Sequence, residues 1–284
     1  MNCGIEISEE SKGCFKNCHF CNAKQISIIL KDNSEALFDH CTFNYNSVSC
    51  YLLNNSKAQF IDCKFVNDHE ISILGKKDCQ VIVQNCQFKS LKGKAIYCYE
   101  NSEIYVEKTH FDNFNENVIS TIDNSRLYIT DSNIDNTTNI SFNISLNSYM
   151  KATNLTIAGS SKTSVYMNNS KGYFKNCQIT QYSNSPCLIV QGQNSNPIFE
   201  STKFYGEDST FSVSCHQHSR PLFYDCLFGS TLSISTFSEP HIEKCTFSIN
   251  NKKCIKFHNN SRLTYFDMNE IEYSQIAMCQ LFSI

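Results

Sequence analysis

Three cysteines near the start of the chain have the spacing of a metal-cluster motif. They are Cys14, Cys18 and Cys21, in the segment Cys-Phe-Lys-Asn-Cys-His-Phe-Cys. Three thiolates held close together could bind three irons of a [4Fe–4S] cluster. The inner part of the segment, 15–20, recurs almost unchanged at 174–179, so a structural repeat accounts for Cys18 without any chemistry. We therefore expect these thiols to be structural, with no metal and no cofactor.

The repeat that contains Cys18 runs along nearly the whole sequence. Each copy has an aromatic or aliphatic residue, two further residues, a Cys, a polar residue and then Phe or Ile. The Cys position forms a column with a period of about 23 residues: Cys18, Cys41, Cys63, Cys86, Thr109, Ser132, Leu155, Cys177, Thr202, Cys226 and Cys245. A second column has the same period: Ser34, Ser56, Asp78, Ser102, Ser125, Ser148, Ser170, Ser195, Ser219 and Ser261. Two columns that share one period indicate a repeat array.

The pattern within one repeat predicts strands. Apolar residues alternate, as in Ile26, Ile28 and Leu30, which is typical of strands and not of helices. Three short strands and three turns fit into one period, whereas helical repeats usually need about 33 residues or more. One coil cannot bury its own inward face, so the coils must stack. The sequence predicts an all-β solenoid, a parallel β-helix of about 11–12 coils. We expect one domain over 1–284, with regular coils over about 10–270 and an irregular last coil over 262–284.

The residue before each Cys position carries a resemblance to a known superfamily. It is most often Asn or Asp, as in Asn17, Asp62 and Asn85. These residues tolerate positive φ and bond to neighbouring backbone, so a tight turn would place them in a ladder. The pattern resembles the asparagine ladder of the right-handed, pectate-lyase-like β-helix superfamily, and in character it is closest to the non-enzymatic repeat arrays of that superfamily. The resemblance covers roughly 10–270 and implies a right-handed parallel β-helix.

The rest of the sequence argues against an iron–sulfur enzyme and for a core lined by cysteines. The Cys14–Cys21 spacing is similar to the motif of radical S-adenosylmethionine enzymes, but no helical segment follows Cys21 to build their barrel. A disulfide column would not tolerate Leu155, and the total of 17 cysteines is odd. Cys is a small hydrophobe that stacks well in an interior. We interpret the thiols as reduced packing residues and expect a cytoplasmic protein.

Polysaccharide cleavage is the chemistry that the superfamily suggests first. Hydrolysis needs paired carboxylates, and lyase chemistry needs acidic calcium ligands and a base. Related enzymes build these on the outward face of the strand that precedes the Ser column. Acidic residues such as Asp68 lie in the following loops, where we expect them to be solvated, so no catalytic residue is assigned. Alternation predicts a face without Asp, Glu or Arg: Ser27, Ser49, Tyr51, Ser72, Tyr97, Asn143, Ser145, Tyr166, Leu188, Val190, Ser212, Ser214, Ser233, Ser235 and Lys256.

Tyrosines on this face could bind a partner. Tyr51 and Tyr97 occupy equivalent positions two coils apart, and Tyr166 lies further along. Tyr on an uncharged sheet suits contacts with a protein or a glycan, although Tyr is also an ordinary exposed strand residue. Our hypothesis is a non-catalytic binding or scaffold module that recognises a protein partner. The alternative is a carbohydrate-active protein, either a lyase- or hydrolase-like enzyme or a glycan binder.

Composition narrows the range of partners. The net charge is −3 and no Lys/Arg cluster occurs, which argues against nucleic acid. No stretch of 18 apolar residues occurs, which argues against a membrane span. The first repeat begins by Phe15, so no separate cap precedes it. An exposed coil end needs covering, and we expect self-association or an additional capping segment to cover it.

Overall fold

The computed structural model describes residues 3–89, 92–206, 211–248 and 254–272. These residues form an all-β, right-handed parallel solenoid of about 11 turns with a period of about 23 residues, as the sequence predicts. The described residues contain no helix, and therefore no helix that could cross a membrane. Most of the irregular last coil predicted for 262–284 lies outside the described residues.

Each coil contributes one strand to each of three parallel sheets. Sheet A contains β1 (Cys3–Ile7), β4 (Ile26–Leu30), β7 (Val48–Leu53), β10 (Ile71–Lys76), β13 (Lys94–Tyr99), β16 (Ile119–Thr121), β19 (Phe142–Ser145), β22 (Val165–Asn168), β25 (Leu188–Gln191), β28 (Phe211–His216), β31 (Thr231–Ile234) and β33 (Ile255–Phe257). Sheet B contains β2 (Lys12–Lys16), β5 (Glu35–Asp39), β8 (Lys57–Ile61), β11 (Gln80–Gln84), β14 (Glu103–Glu107), β17 (Arg126–Thr130), β20 (Tyr149–Thr153), β23 (Lys171–Lys175), β26 (Ile198–Glu200) and β29 (Leu222–Tyr224).

Sheet C follows sheet B after a two-residue turn. It contains β3 (His19–Cys21), β6 (Thr42–Asn44), β9 (Lys64–Val66), β12 (Gln87–Lys89), β15 (His110–Asp112), β18 (Asn133–Asp135), β21 (Thr156–Ser160), β24 (Gln178–Gln181), β27 (Lys203–Tyr205) and β30 (Leu227–Phe228). Two longer strands, β32 (His241–Ser248) and β34 (Tyr265–Glu272), run through both sheets. Twelve stacked strands at about 4.8 Å give a rod on the order of 55 Å long.

The tight turn between sheets B and C lies where the Asn/Asp pattern predicts it. Asn17, Asp62 and Asn85 have φ values of 52°, 53° and 53°, and Lys108 occupies the same turn with φ 48°. Left-handed backbone is unfavourable for most L-residues and is best tolerated by Asn and Asp. The side chains also form a ladder, as when Asn154 Nδ2 donates to Asp131 Oδ1 over 2.7 Å.

Stacked phenylalanines fill the core between sheets B and C. In sheet B the ring centroids of Phe38 and Phe60 lie 4.8 Å apart with parallel planes. In sheet C, Phe65 and Phe88 stack at 4.4 Å. These separations match the spacing between coils, so each ring contacts its neighbours without leaving a void. The rings in the middle of the rod are fully buried, whereas Phe15 in the first coil is half-buried and packs against the core.

The Cys column lies inside the rod, and its thiol and hydroxyl members hydrogen-bond to the turn backbone, whereas Leu155 only fills space. Cys41, Cys63 and Cys86 are each 1% exposed. The Cys63 thiol donates to the carbonyl of Ile61 over 3.3 Å, and Thr109 uses its hydroxyl in the same way toward Glu107 over 2.9 Å. The column therefore selects small side chains that bond to the turn backbone, in addition to filling space.

The Ser column needs one correction. Its member in the fourth coil is Cys79 and not Asp78, because the Cys79 N–H donates to Ser102 Oγ over 3.2 Å and the Cys79 Sγ lies 3.7 Å from Ser56 Oγ. Asp78 is an exposed turn residue with φ 60°. A further member, Ser238, is fully buried and accepts from Ser219 Oγ over 3.3 Å. The column depends on a buried hydrogen-bonding side chain, which a thiol also supplies.

Candidate ligand-binding site

Strand pairing defines one continuous outward column on sheet A, with one residue from each strand. All three tyrosines predicted for this face, Tyr51, Tyr97 and Tyr166, lie in it. Tyr51 pairs with Leu74, which pairs with Tyr97. The full column is Glu6, Ile29, Tyr51, Leu74, Tyr97, Ser120, Asn143, Tyr166, Ile189, Ser214, Ser233 and Lys256.

Several other residues predicted for this face lie inside the rod. Ser49 and Ser72 are at most 1% exposed, and Leu188 and Val190 are fully buried core residues, with Ile189 outward between them. The reason is local. At the start of these strands two successive residues are both buried, as in β10, where alternation resumes one position later. If alternation is counted from the start of such a strand, outward residues are assigned to the interior and inward residues to the surface.

The residues Tyr51, Leu74, Lys76, Lys94, Tyr97 and Tyr99 form a cluster that we call the tyrosine patch. The rings of Tyr97 and Tyr99 stack with centroids 5.3 Å apart. The Nζ of Lys94 lies 5.3 Å from the Tyr97 centroid, and the Nζ of Lys76 lies 5.4 Å from that of Tyr99. Ammonium groups at such distances are attracted by the electron-rich ring faces. The patch thus combines half-buried aromatic surface with two cationic hydrogen-bond donors.

Partial burial gives the patch an environment less polar than open solvent. Burial raises the pKa of the Tyr51 phenol, and the neighbouring Tyr99 contributes to the same shift. Burial and Tyr99 likewise raise the pKa of Tyr97. The pKa of Lys76 is raised by Tyr99 first and then by Glu100, whose carboxylate lies 3.5 Å from the ammonium. The raised pKa values keep the phenols of Tyr51 and Tyr97 protonated and the Lys76 ammonium charged at neutral pH.

Tyr166 does not belong to the patch. Three coils separate it from Tyr97, which corresponds to about 14 Å along the rod. In contrast, Tyr99, Lys76 and Lys94 were missed from the sequence. Tyr99 was detectable, because it lies two residues after Tyr97 and alternation puts both on one face. Lys94 was not, because the break in alternation at the start of β13 places it outward.

An apolar strip continues the patch toward the first coil. Ile26, Ile29 and Val48 pack together on the outer face of sheet A, against Tyr51 and Leu74. Each of the three aliphatic residues is less than a tenth exposed. The outer face of sheet A is therefore apolar in coils two to four, with tyrosines in coils three and five. Beyond Tyr97 the column is mostly polar, with Ile189 as an apolar member.

Acidic residues on or near sheet A are held in ion pairs or hydrogen bonds. The outward column contains Glu6, which alternation had not placed there, and its carboxylate pairs with Lys31 at 2.6 Å. Asp68, expected to be solvated, is 1% exposed and accepts from Ser49 Oγ over 2.7 Å. In the described part of the outward column, Glu6 is the one acidic side chain.

The N-terminal cysteines do not converge on a metal site. Cys14 is exposed in the middle of β2, Cys21 is exposed at the end of β3, and Cys18 packs against the core. Within the described residues, the metal-ligating side chains that do converge are Asp39, His40 and Asp62. They belong to the exposed turn ladder, where the hydrogen bond to Asp39 raises the pKa of His40.

Comparison with known proteins agrees with this architecture. No curated protein matches the chain. Among solved structures, a variant catalytic domain of GH87 alpha-1,3-glucanase bound to tetrasaccharides is similar at TM-score 0.44 and 6% identity. The catalytic domain of GH87 alpha-1,3-glucanase with nigerose is similar at TM-score 0.41 and 8% identity. Each alignment covers 95% of this chain but 64% of the other, so this chain spans less than two thirds of those domains.

Similarity at these TM-scores says nothing about the activity of this chain. The family described as the right handed beta helix region matches residues 3–149 and again residues 117–281. The two overlapping matches extend over nearly the whole sequence, and the stacked parallel coils have the architecture that the family describes. This chain belongs to the right-handed β-helix family.

Proposed function

We propose that this β-helix is a glycan-binding protein that uses the tyrosine patch and does not cleave its ligand. The observation that carries the proposal is the side-by-side placement of Tyr97 and Tyr99 with an ammonium group beside each ring. A sugar ring has apolar C–H surface and a rim of hydroxyls, so it needs flat apolar contact together with hydrogen-bond partners. The patch offers both within one surface.

The polar part of the outward face supports the same ligand class. Beyond Tyr97 the column continues with Asn143 and Tyr166, which are partly exposed and carry both donors and acceptors, while Ser120 is buried. These amide and hydroxyl groups can bind further sugar units along the rod. Charged partners would find little to pair with there, whereas sugar hydroxyls would find donors and acceptors.

The absence of catalysis is part of the proposal and rests on the acidic inventory. Glu6 lies in the first coil and is ion-paired to Lys31. Glu100, beside the patch, is ion-paired to Lys76, and Asp68 is buried and hydrogen-bonded. A retaining or inverting glycosidase needs two carboxyl groups on either side of the scissile bond. We therefore expect binding without turnover of the ligand.

Glycan-array screening followed by calorimetric titration of the strongest ligand tests the proposal. The Tyr97→Ala variant should weaken binding by about tenfold, and Tyr51→Ala/Tyr97→Ala should weaken it further, because a buried aromatic contact contributes about 1–2 kcal/mol. Tyr205→Ala is the matched control, since it removes a partly exposed tyrosine on sheet C, away from sheet A. A blank array, or equal losses for Tyr97→Ala and Tyr205→Ala, would contradict the proposal.

A protein partner is the second candidate, and Leu74 favours it. Leu74 is partly exposed and lies between Tyr51 and Tyr97, so the patch has aliphatic as well as aromatic surface. Affinity pulldown with the wild-type protein and with the Tyr51→Ala/Tyr97→Ala variant tests this candidate. Capture of a protein that binds the patch should be lost in the variant, and unchanged capture would exclude the patch as its docking site.

A further inference from the structure

A second, flatter face lies on sheet B, away from the tyrosine patch. Seven strands, β2 to β20, pair in register without a shift. The first, third and fifth residue of each strand point outward, and the turns on either side are short. We call this surface the sheet B face; its middle row is Cys14, Leu37, Gln59, Ile82, Tyr105, Tyr128 and Lys151.

The middle of the sheet B face is a shallow apolar groove. A cavity of about 600 Å³ is lined by Ile82, Tyr105 and Tyr128 among others, and a neighbouring cavity of about 270 Å³ by Leu37 and Gln59. Both cavities share Ile82. The Tyr105 and Tyr128 rings stack at 4.9 Å. An apolar, tyrosine-rich centre with a charged rim is the anatomy of a protein–protein interface.

The charged rim has a symmetry that identifies the partner. Along the first outward row the order is Lys12, Glu35, Lys57, Gln80, Glu103, Arg126 and Tyr149. The cation Lys57 lies one coil before Gln80, and the anion Glu103 lies one coil after it. The anion Glu35 lies two coils before Gln80, and the cation Arg126 lies two coils after it. The row is therefore complementary to its own reversal about Gln80.

We propose that the sheet B face binds a second copy of this chain in an antiparallel, two-fold symmetric dimer. The two-fold axis runs parallel to the strands and passes above the row of Gln80, Ile82 and Gln84. Such an axis brings Lys57 opposite Glu103 of the second copy and Glu35 opposite Arg126. It also brings Leu37 over Tyr128 and Ile82 over itself. This is an isologous interface, in which each contact occurs twice.

Neighbouring registers are disfavoured by the same charges. Moving the axis by half a coil toward the first coil brings Glu35 against Glu103 and Lys12 against Arg126. Moving it by half a coil the other way brings Lys57 against Arg126. A full-coil shift puts Lys57 or Glu103 on the axis, against itself. Like charges brought together at an interface reject the alternative arrangements.

A parallel arrangement of the two rods is also disfavoured. A two-fold axis along the rod would bring the first outward row over the third row of the same coil. Lys12 would face Lys16, Glu35 would face Asp39, and Glu103 would face Glu107. The antiparallel register about Ile82 pairs Lys57 with Glu103 and Glu35 with Arg126, and it brings no like charges of this row together.

The size of the face predicts the strength of the dimer. Seven strands at about 4.8 Å and five residues at about 3.3 Å give a footprint on the order of 500 Å² per copy. The total of about 1,000 Å² is at the lower limit for a specific interface. We therefore expect a dimer with a micromolar dissociation constant that weakens as salt screens the rim charges.

Sedimentation analysis of single charge reversals tests the pairing. Lys57→Glu and Glu103→Lys each place like charges opposite one another twice in the homodimer, so each should raise the dissociation constant by about tenfold or more. An equimolar mixture of the two variants restores opposite charges at both contacts and should dimerise again. Lys203→Glu on β27 is the matched control and should leave dimerisation unchanged.

Cysteine crosslinking tests the position of the axis independently. In a Cys14→Ser/Cys21→Ser background, Ile82→Cys places two thiols across the axis and should give a disulfide-linked dimer with copper phenanthroline. Leu37→Cys should not, because its counterpart is Tyr128. A wild-type chain that stays monomeric at high micromolar concentration overturns the proposal. So does a dimer that is insensitive to both reversals, or one in which Leu37→Cys crosslinks as well as Ile82→Cys.

Discussion

The main-chain N–H of Cys63 donates a hydrogen bond to the Sγ of Cys86, one coil further along, over 3.4 Å. The Cys86 N–H donates in the same way to Thr109 Oγ1 over 3.3 Å, and the Thr109 N–H donates to Ser132 Oγ over 3.1 Å. The column is thus a chain of side-chain acceptors for the turn amides. Thiol and hydroxyl can replace each other in it because both accept an N–H and donate to a backbone carbonyl.

This relationship predicts which substitutions the column tolerates. Cys86→Ser keeps an acceptor for the Cys63 N–H and should change the free energy of unfolding by less than about 1 kcal/mol. Cys86→Ala leaves that buried amide unsatisfied and should reduce the free energy of unfolding by about 1–3 kcal/mol. Urea denaturation followed by circular dichroism measures both. Equal stability of the two variants would mean that only the volume of the side chain matters.

The thiols should divide into two classes of reactivity. Burial raises the pKa of the Cys50, Cys98 and Cys215 thiols well above the usual range, and it raises the pKa of Cys177 to about 11. Because the thiolate is the nucleophile, these cysteines should resist iodoacetamide in the folded protein. The exposed Cys14 and Cys21 should react first.

Peptide mass mapping after timed alkylation measures the order of reaction, and a repeat in denaturant supplies the control in which all thiols react. Rapid labelling of Cys98 in the folded protein would contradict the burial of its side chain.

The sequence was sufficient for the fold because the repeat exposes its own period. Columns of ten and eleven residues show the period even where one repeat is irregular. The turn residues also have a physical preference for positive φ. The assignment of Asp78 to the Ser column was wrong. Asn or Asp usually precedes the Ser, and in this coil the position was assigned one residue too early. Cys79 fills the position, and only the hydrogen bond from its amide to Ser102 distinguishes it.

The candidate site was less predictable, and the reason is again local geometry. Tyr51 and Tyr97 could be placed on one face because they are separated by two full periods. The lysines of the patch could not, since Lys94 is outward only because the two residues after it are both buried. The pairing of rim charges about Gln80 also needed the exact register of sheet B, because moving the two-fold axis by half a coil brings like charges opposite each other.

Asp68 should make the stability of the protein depend on pH. Its carboxylate is 1% exposed and accepts from Asn46 N–H over 3.0 Å and from Ser49 Oγ, yet burial still raises its pKa. The folded state therefore binds the proton more tightly than the unfolded state. The free energy of unfolding should decrease as the pH rises from about 3.8 through the raised pKa.

Substitution of Asp68 tests this sign. Asp68→Asn has no carboxyl to ionise and should lack that decrease, while Asp68→Ala should lose about 2–4 kcal/mol at every pH because two buried donors lose their acceptor. Asp131→Asn is the control, since Asp131 is exposed. Denaturation curves collected across the acidic range measure the slope. A slope that persists in Asp68→Asn would assign the pH dependence to another group.

Lys108 occupies the left-handed turn with φ 48°, and replacing it with Asn should stabilise the rod. A left-handed backbone disfavours Lys by about 1 kcal/mol, and Asn tolerates it. The amide could also join the ladder toward Asp131, as Asn154 does from the other side. The ion pair that Lys108 makes with Glu107 at 3.3 Å is exposed and contributes little. We therefore expect Lys108→Asn to raise the free energy of unfolding by about 0.5–1 kcal/mol.

Lys64→Asn is the matched control for the same chemical change in an extended strand. Lys64 is the first residue of β9 and is exposed, and Asn is a poor strand residue, so this variant should be neutral or slightly destabilised. Thermal denaturation of both variants beside the wild type measures the difference. If Lys64→Asn stabilised the protein as much as Lys108→Asn, the gain would come from removing a charge and not from the turn.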